Sequence, residues 1–277
     1  MKKFFFGLSV LLAAVGSAAE PAKVTMKSEV LARDMSFSIL LPAAYKTEPN
    51  KRFPVIYFLD GWGGNGMGLF YNNAINQRPF IQNFADDKQV IVVNFGLPAD
   101  WYFDAPLDPK LKFGTFLTTE LIDHVDKNFR TIAKREGRAI AGISSGAHGA
   151  FLLAFQNPEL YIAAGSLAGC PDLTHYIGSR PDWKLPHAMG LHKDHPDNWA
   201  ACSIEPHLKN IQGKGLGVWF GCGLSDELNA DNRKLEQQMK ALGIAYTYHE
   251  APGGHNGQYL APAFQICMTA LEKHLQH

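Results

Sequence analysis

Apolar and polar positions along the chain follow two alternating periods. Short runs rich in β-branched, aromatic and small apolar residues occupy positions 37–41, 54–59, 90–95, 139–143, 163–167, 216–221 and 245–249. Several are almost continuously apolar, the signature of strands that meet water on neither side of the pleat. Helical spacing lies between them. Leu117, Leu121, Ile122, Val125 and Phe129 share one face, and Glu120, Asp123, Asp126 and Lys127 share another. Glu120 and Asp123 therefore read as a solvated helix face, not as an acid pair. Residues 147–155, 228–242 and 261–275 also read as helices. Strand–helix alternation predicts an α/β architecture, a parallel or mixed sheet covered by helices.

Two stretches break this rhythm. Residues 171–209 hold five prolines, five histidines and the aromatics Tyr176, Trp183 and Trp199. A connection this long in a compact domain is usually a functional cover or a binding loop. It is read as an insertion over one end of the sheet, within one domain spanning 20–277. The other stretch is the N-terminus. Lys2 and Lys3 precede an apolar run over residues 4–15, followed by Gly16-Ser17-Ala18-Ala19. That is a secretory signal, too short to span a bilayer, with cleavage expected after Ala19 or, as the near alternative, Ala18. No cysteine follows the small residues and no other stretch suits a bilayer, so no membrane anchor is expected. The product is expected to be exported, to the periplasm or beyond the cell.

Composition narrows the partners. Lys+Arg and Asp+Glu both number 26, apolar residues make up 46% and charged residues 19%. This is a globular composition without the basic excess that nucleic acid requires, so nucleic acid is excluded as the main partner. All four cysteines, Cys170, Cys202, Cys222 and Cys267, lie beyond the signal. An oxidising compartment permits disulfides. If one bridge forms, Cys170–Cys202 is favoured, because both lie in or beside the irregular stretch; four unpaired, packed thiols are the alternative.

One pentapeptide carries the chemistry. Gly142-Ile143-Ser144-Ser145-Gly146 follows an apolar run and precedes a helical one. The pattern G-x-S-x-G in a strand–turn–helix context is that of a nucleophile elbow, which lifts the serine hydroxyl clear of the backbone. A serine needs a base, usually a histidine oriented by a carboxylate, and on this kind of sheet the chain order is serine, acid, histidine. Asp226 follows the apolar run that ends near Gly223, with Glu227 adjacent and Asp231 close by. His255 sits in Pro252-Gly253-Gly254-His255-Asn256-Gly257, a loop between a strand and the last helix. His249 lies inside a strand run, and His148 follows Ser144 by one helical turn in an unfavourable direction. The oxyanion hole needs two backbone N–H groups. Ser145 supplies one, and the glycine-rich loop Asp60-Gly61-Trp62-Gly63-Gly64 supplies the other, with Trp62 the first candidate and Gly63 the second.

These segments together resemble the esterase D / S-formylglutathione hydrolase-like family of α/β hydrolases, whose relatives include feruloyl esterases, tributyrin esterases and mycolyltransferases. The similar stretches are Tyr57-Phe58-Leu59-Asp60-Gly61-Trp62-Gly63-Gly64, residues 116–129, residues 139–155 with Asn157-Pro158-Glu159-Leu160-Tyr161, residues 221–226, and Gly253-Gly254-His255. The resemblance implies an α/β-hydrolase fold with a mostly parallel central sheet and helices on both faces. It implies Ser144 as nucleophile, Asp226 as acid, His255 as base, and Trp62 and Ser145 as oxyanion donors. The chain departs from many members in carrying Asp60-Gly61 where they have His-Gly, as the mycolyltransferases do, and Ser145, Gly146 and Ala147 after the nucleophile.

Substrate is less legible. Trp101 and Tyr102, with Trp183 and Trp199, are expected as an aromatic wall for a sugar or aryl ester. His187, His192 and His195 match no zinc spacing, so neither metal nor cofactor is expected. Three functions compete: a secreted serine esterase acting through an acyl-enzyme on short-acyl or carbohydrate-linked esters, an acyltransferase to a sugar hydroxyl, and a non-catalytic carbohydrate-binding relative.

Overall fold

The computed structural model describes residues 20–71, 77–98, 100–176 and 179–277; the expected signal sequence, residues 1–19, lies outside them. Eight strands form one sheet in the order β1-β2-β4-β3-β5-β6-β7-β8. They are β1 (Ala22–Ser28), β2 (Arg33–Leu40), β3 (Val55–Leu59), β4 (Ile91–Phe95), β5 (Arg138–Ile143), β6 (Ala163–Leu167), β7 (Gly217–Gly223) and β8 (Thr247–Ala251). β1 and β2 form an antiparallel hairpin and β2 runs antiparallel to β4. Every pairing from β4 through β3, β5, β6 and β7 to β8 is parallel.

Helices lie on both faces, as the apolar central strands require. The register sets Trp219 beside Gly165 and Phe220 beside Ser166. Successive strand residues point to opposite sides. Phe220 packs edge-on to Phe151 of the helix Ser145–Gln156, 5.9 Å between ring centres. Gly165 on the other side is pressed so closely by Cys267 of the helix Gly257–Glu272 that a Cβ there would lie 2.5 Å from the sulfur. All residues of β3, β4, β6 and β7 are buried. The outer strands β1 and β8 are largely exposed or half-buried.

Some expectations change. β1 was not foreseen, nor was the helix Arg78–Lys88. β8 lies two residues later than the run 245–249. Glu120 does not face open solvent: its carboxylate accepts from the Ser28 hydroxyl at 2.5 Å and from the Glu29 and Val30 N–H groups at 3.0 Å, pinning the β1–β2 turn to the helical segment. The long connection from β6 to β7 folds into short turns and helices, among them Pro181–Trp183, Leu185–Met189, Pro196–Cys202 and Glu205–Ile211. All four cysteines are unpaired and buried, so the favoured Cys170–Cys202 bridge is absent. Burial pushes the Cys202 thiol up to about 12. Among the described residues no helix is long and apolar enough to cross a membrane.

Candidate active site

The C-terminal ends of the parallel strands converge on one cavity of about 380 Å³. This is where open α/β sheets bind ligands, because the loops leaving neighbouring strands meet there. β5 delivers Ser144, with φ 57° and ψ −120°. A non-glycine residue held there costs on the order of 1–3 kcal/mol and needs rigid surroundings. Those surroundings are visible. The Ser144 N–H donates to the Leu167 carbonyl at 2.9 Å. A Cβ on Gly142 would lie 2.3 Å from the Gly146 carbonyl carbon, and one on Gly146 would lie 2.2 Å from the Leu59 carbonyl oxygen. Both glycines of the pentapeptide are thus fixed by close backbone approach.

β7 and β8 bring in the partners. His255 Nε2 lies 3.0 Å from Ser144 Oγ, and His255 Nδ1 lies 2.8 Å from Asp226 Oδ2. An ionised carboxylate only accepts, so the imidazole proton sits on Nδ1 and leaves Nε2 free to accept from the serine hydroxyl. The Asp226 side chain is fully buried. Burial alone would raise its pKa. The His255 hydrogen bond, the Leu228 N–H at 3.0 Å and the Cys222 thiol outweigh that and hold the carboxyl below its ordinary value. The neighbouring acids are engaged elsewhere. Glu227 accepts from Arg180 at 2.8 Å, and Asp231 is paired with His175 and Tyr176 at 2.5 and 2.9 Å.

The loop after β3 closes over the serine. A Cβ on Gly61 would lie 3.4 Å from the Ser144 Cβ. Trp62 and Ser145 both line the cavity. Among the described residues neither N–H is spent in a turn or loop hydrogen bond, and Ser145, first in its helix, has no intrahelical acceptor.

Of the four expected substrate-binding aromatics, two reach the cavity. Trp101 and Trp183 line it with Trp62, their rings 5.9 Å (Trp62–Trp101) and 5.5 Å (Trp101–Trp183) apart. Tyr102 and Trp199 do not line it. Each is buried with its polar atom satisfied inside: Tyr102 Oη donates to the Asp60 carbonyl at 2.7 Å and Trp199 Nε1 to the Gly190 carbonyl at 2.9 Å. Buried phenols and indoles seek such partners. His148 also stays away from the serine. Its Nε2 lies 2.8 Å from the Cys202 carbonyl, and burial, the largest influence, lowers its pKa to about 4. His249 lies in β8 with its ring stacked on Trp219.

Two contributors escaped the sequence reading. Arg180 lies over the Trp183 ring, 4.3 Å from its centre, and lines the cavity. The Asp60 carboxylate accepts from Asn94 Nδ2 and the Gly66 N–H, both at 2.9 Å, while burial raises its pKa. No motif marks Arg180. Asp60 stood in the glycine-rich loop, but its partners are fixed only by folding. Among the described residues no cluster of His, Cys, Asp or Glu is arranged to hold a metal, and His187, His192 and His195 form none.

Comparison with known proteins gives the family and the fold. Residues 28–270 match the family model described as putative esterase. An esterase of Mycobacterium tuberculosis is 26% identical over 241 residues, covering 79% of this chain and 52% of that protein. The chain therefore spans about half the length of the first curated relatives it matches. An endo-1,4-beta-xylanase/feruloyl esterase of Xylanibacter ruminicola is 32% identical over 162 residues, 53% of this chain and 21% of that one. The solved structure of an S-formylglutathione hydrolase from Agrobacterium tumefaciens superposes with a TM-score of 0.77 at 18% identity, covering 95% of this chain and 98% of the other. That likeness shows the α/β-hydrolase fold.

Proposed function

The chain belongs to the putative-esterase family, among relatives that include feruloyl esterases and S-formylglutathione hydrolases, and on that premise we propose that it is an exported serine esterase. It opens carboxylic esters of short or carbohydrate-linked acyl or aryl acids through an acyl-enzyme. The observation that carries the reading is the unbroken line from Asp226 through His255 to Ser144, with contacts of 2.8 and 3.0 Å.

The chemistry follows from that line. Ser144 Oγ attacks the ester carbonyl as its proton passes to His255 Nε2. Asp226 keeps the imidazole in the tautomer that can accept and stabilises the imidazolium that forms. The Trp62 and Ser145 N–H groups bind the oxyanion, and one such donor is worth about 3–4 kcal/mol in the barrier. His255 then returns its proton to the departing alcohol, and water releases the acyl group by the same steps in reverse order. The three indoles that line the cavity with Ser144 supply flat apolar faces suited to a sugar or an aryl acid.

Acyl transfer to a sugar hydroxyl is the second reading, favoured by the Asp60-Gly61 loop sequence. Product analysis separates the two. The purified mature protein is given p-nitrophenyl acetate and butyrate, with and without a sugar acceptor. Hydrolysis predicts free acid as the product at every acceptor concentration. Acylated sugar growing with acceptor at the expense of free acid favours transfer. Export rests on residues 1–19, and a mature N-terminus at Glu20, read by N-terminal sequencing of the periplasmic or culture fraction, supports it.

A further inference from the structure

An oxyanion hole works only when its donors converge on one oxygen at about 2.7–3.1 Å. Here the donors stand on separate elements. Trp62 belongs to the loop after β3, and Ser145 opens the helix Ser145–Gln156. Something must set the distance between them. Tyr102 touches both. Its Oη donates to the Asp60 carbonyl at 2.7 Å, two residues before Trp62. Its Cβ sits so close to the helix that a Cβ on Gly149, one turn after Ser145, would lie 2.4 Å from it. The same Asp60 carbonyl abuts the helix start, since a Cβ on Gly146 would lie 2.3 Å from that oxygen. The carbonyl is thus held between the helix and the phenol. Trp101, next in the chain, packs on Trp62 itself. The far end of the loop is held by the Asp60 carboxylate, which gathers the Gly66 and Gly68 N–H groups at 2.9 and 3.4 Å.

We propose that Tyr102 is a positioning residue for the oxyanion hole, its hydroxyl bracing the Trp62 loop against the helix that carries Ser145. The inference rests on the assignment of those two N–H groups as donors. Removing the hydroxyl leaves the Asp60 carbonyl buried without that donor and frees its peptide plane to turn. The Trp62 N–H then no longer points where the oxyanion forms, while the substrate-contacting indoles stay in place.

The test is Tyr102→Phe, which keeps the packed ring and removes one oxygen. Hydrolysis of p-nitrophenyl butyrate is measured with inhibition by phenylboronic acid, whose tetrahedral serine adduct occupies the hole. The expected result is a fall in kcat of about 10- to 100-fold, KM unchanged within about twofold, and weaker boronate inhibition in proportion to the loss in kcat. Tyr45→Phe removes a hydroxyl that accepts from the Arg130 N–H at 3.1 Å, outside the site, and is expected to leave kcat unchanged. If Tyr102→Phe does not fold, Asp60→Asn loosens the same loop from its carboxylate and is expected to give the same kcat-only loss. Wild-type activity with kcat preserved in the folded variant overturns the inference alone, as does a rise in KM without loss of kcat. A wild-type protein that neither hydrolyses esters nor reacts with a fluorophosphonate overturns the esterase reading and this inference with it.

Discussion

Lowering the pH below 6.5 is predicted to cost the fold stability through one buried histidine. His148 is 1% exposed. It lies edge-on to the Trp101 ring at 5.2 Å, its Nε2–H donates to the Cys202 carbonyl at 2.8 Å, and its Nδ1 has no partner among the described residues. A proton on Nδ1 would place a charge and an unmet donor among aromatic rings. Burial, the largest cause, together with the nearby His207, therefore lowers the pKa from 6.5 to about 4, the Cys202 bond opposing. The folded value lies below the unfolded one. Between pH 6.5 and 4 the unfolded chain takes up a proton that the folded chain refuses, so stability is present above 6.5 and is lost as pH falls toward 4. Each pKa unit is worth about 1.4 kcal/mol, so the loss is about 3 kcal/mol. The assay is urea unfolding of wild type and His148→Gln at steps from pH 7.5 to 4. The glutamine amide can still donate to Cys202 and does not titrate, so other groups cancel in the difference. The stability difference, wild type minus variant, should shrink by about 3 kcal/mol across that range. A difference that stays constant with pH would refute the assignment of a neutral buried His148.

Other perturbations separate the parts of the site. Asp226→Asn should lower kcat by about 10⁴-fold with little change in KM, since the imidazole then takes the wrong tautomer; steady-state ester hydrolysis reads this, and Glu227→Gln should lose far less. Gly146→Ala forces a Cβ to within 2.2 Å of the Leu59 carbonyl. It should destabilise the fold by about 3 kcal/mol or more in thermal or urea unfolding, because backbone on both sides must move. A thiol reagent should find four free thiols in the unfolded chain and react slowly with the native protein, because all four cysteines are buried and unpaired.

The central sheet was legible because its strands are dry on both faces. The run 163–167 coincides with β6, and β3, β4 and β5 begin one residue from their expected starts. β8 slipped because an edge strand half-open to water carries no buried-face pattern, and the apolar Ile244-Ala245-Tyr246 drew the expectation toward the N-terminus. β1 was missed because Lys23 and Lys27 break any apolar run; pairing with β2 makes it a strand. The helix Arg78–Lys88 buries only Ile81, Phe84 and Ala85, too weak a stripe to read, and its Pro79 sits in the first turn, where proline is tolerated. Ser144, Asp226 and His255 could be named because turn chemistry and chain order mark them. The bond from Tyr102 to the Asp60 carbonyl could not be read, because it spans 42 positions and only folding brings the two together. Arg180 lies 47 positions from Glu227, and its seat over Trp183 is likewise a product of tertiary packing.

The most direct measurement of the central claim is the reaction of the purified mature protein with a fluorophosphonate probe, followed by peptide mapping, beside p-nitrophenyl butyrate hydrolysis by wild type and Ser144→Ala. The account predicts stoichiometric labelling on Ser144 alone, and loss of both labelling and hydrolysis in the folded variant. Folded wild type that neither labels nor hydrolyses, or labelling and turnover that survive in Ser144→Ala, would contradict it.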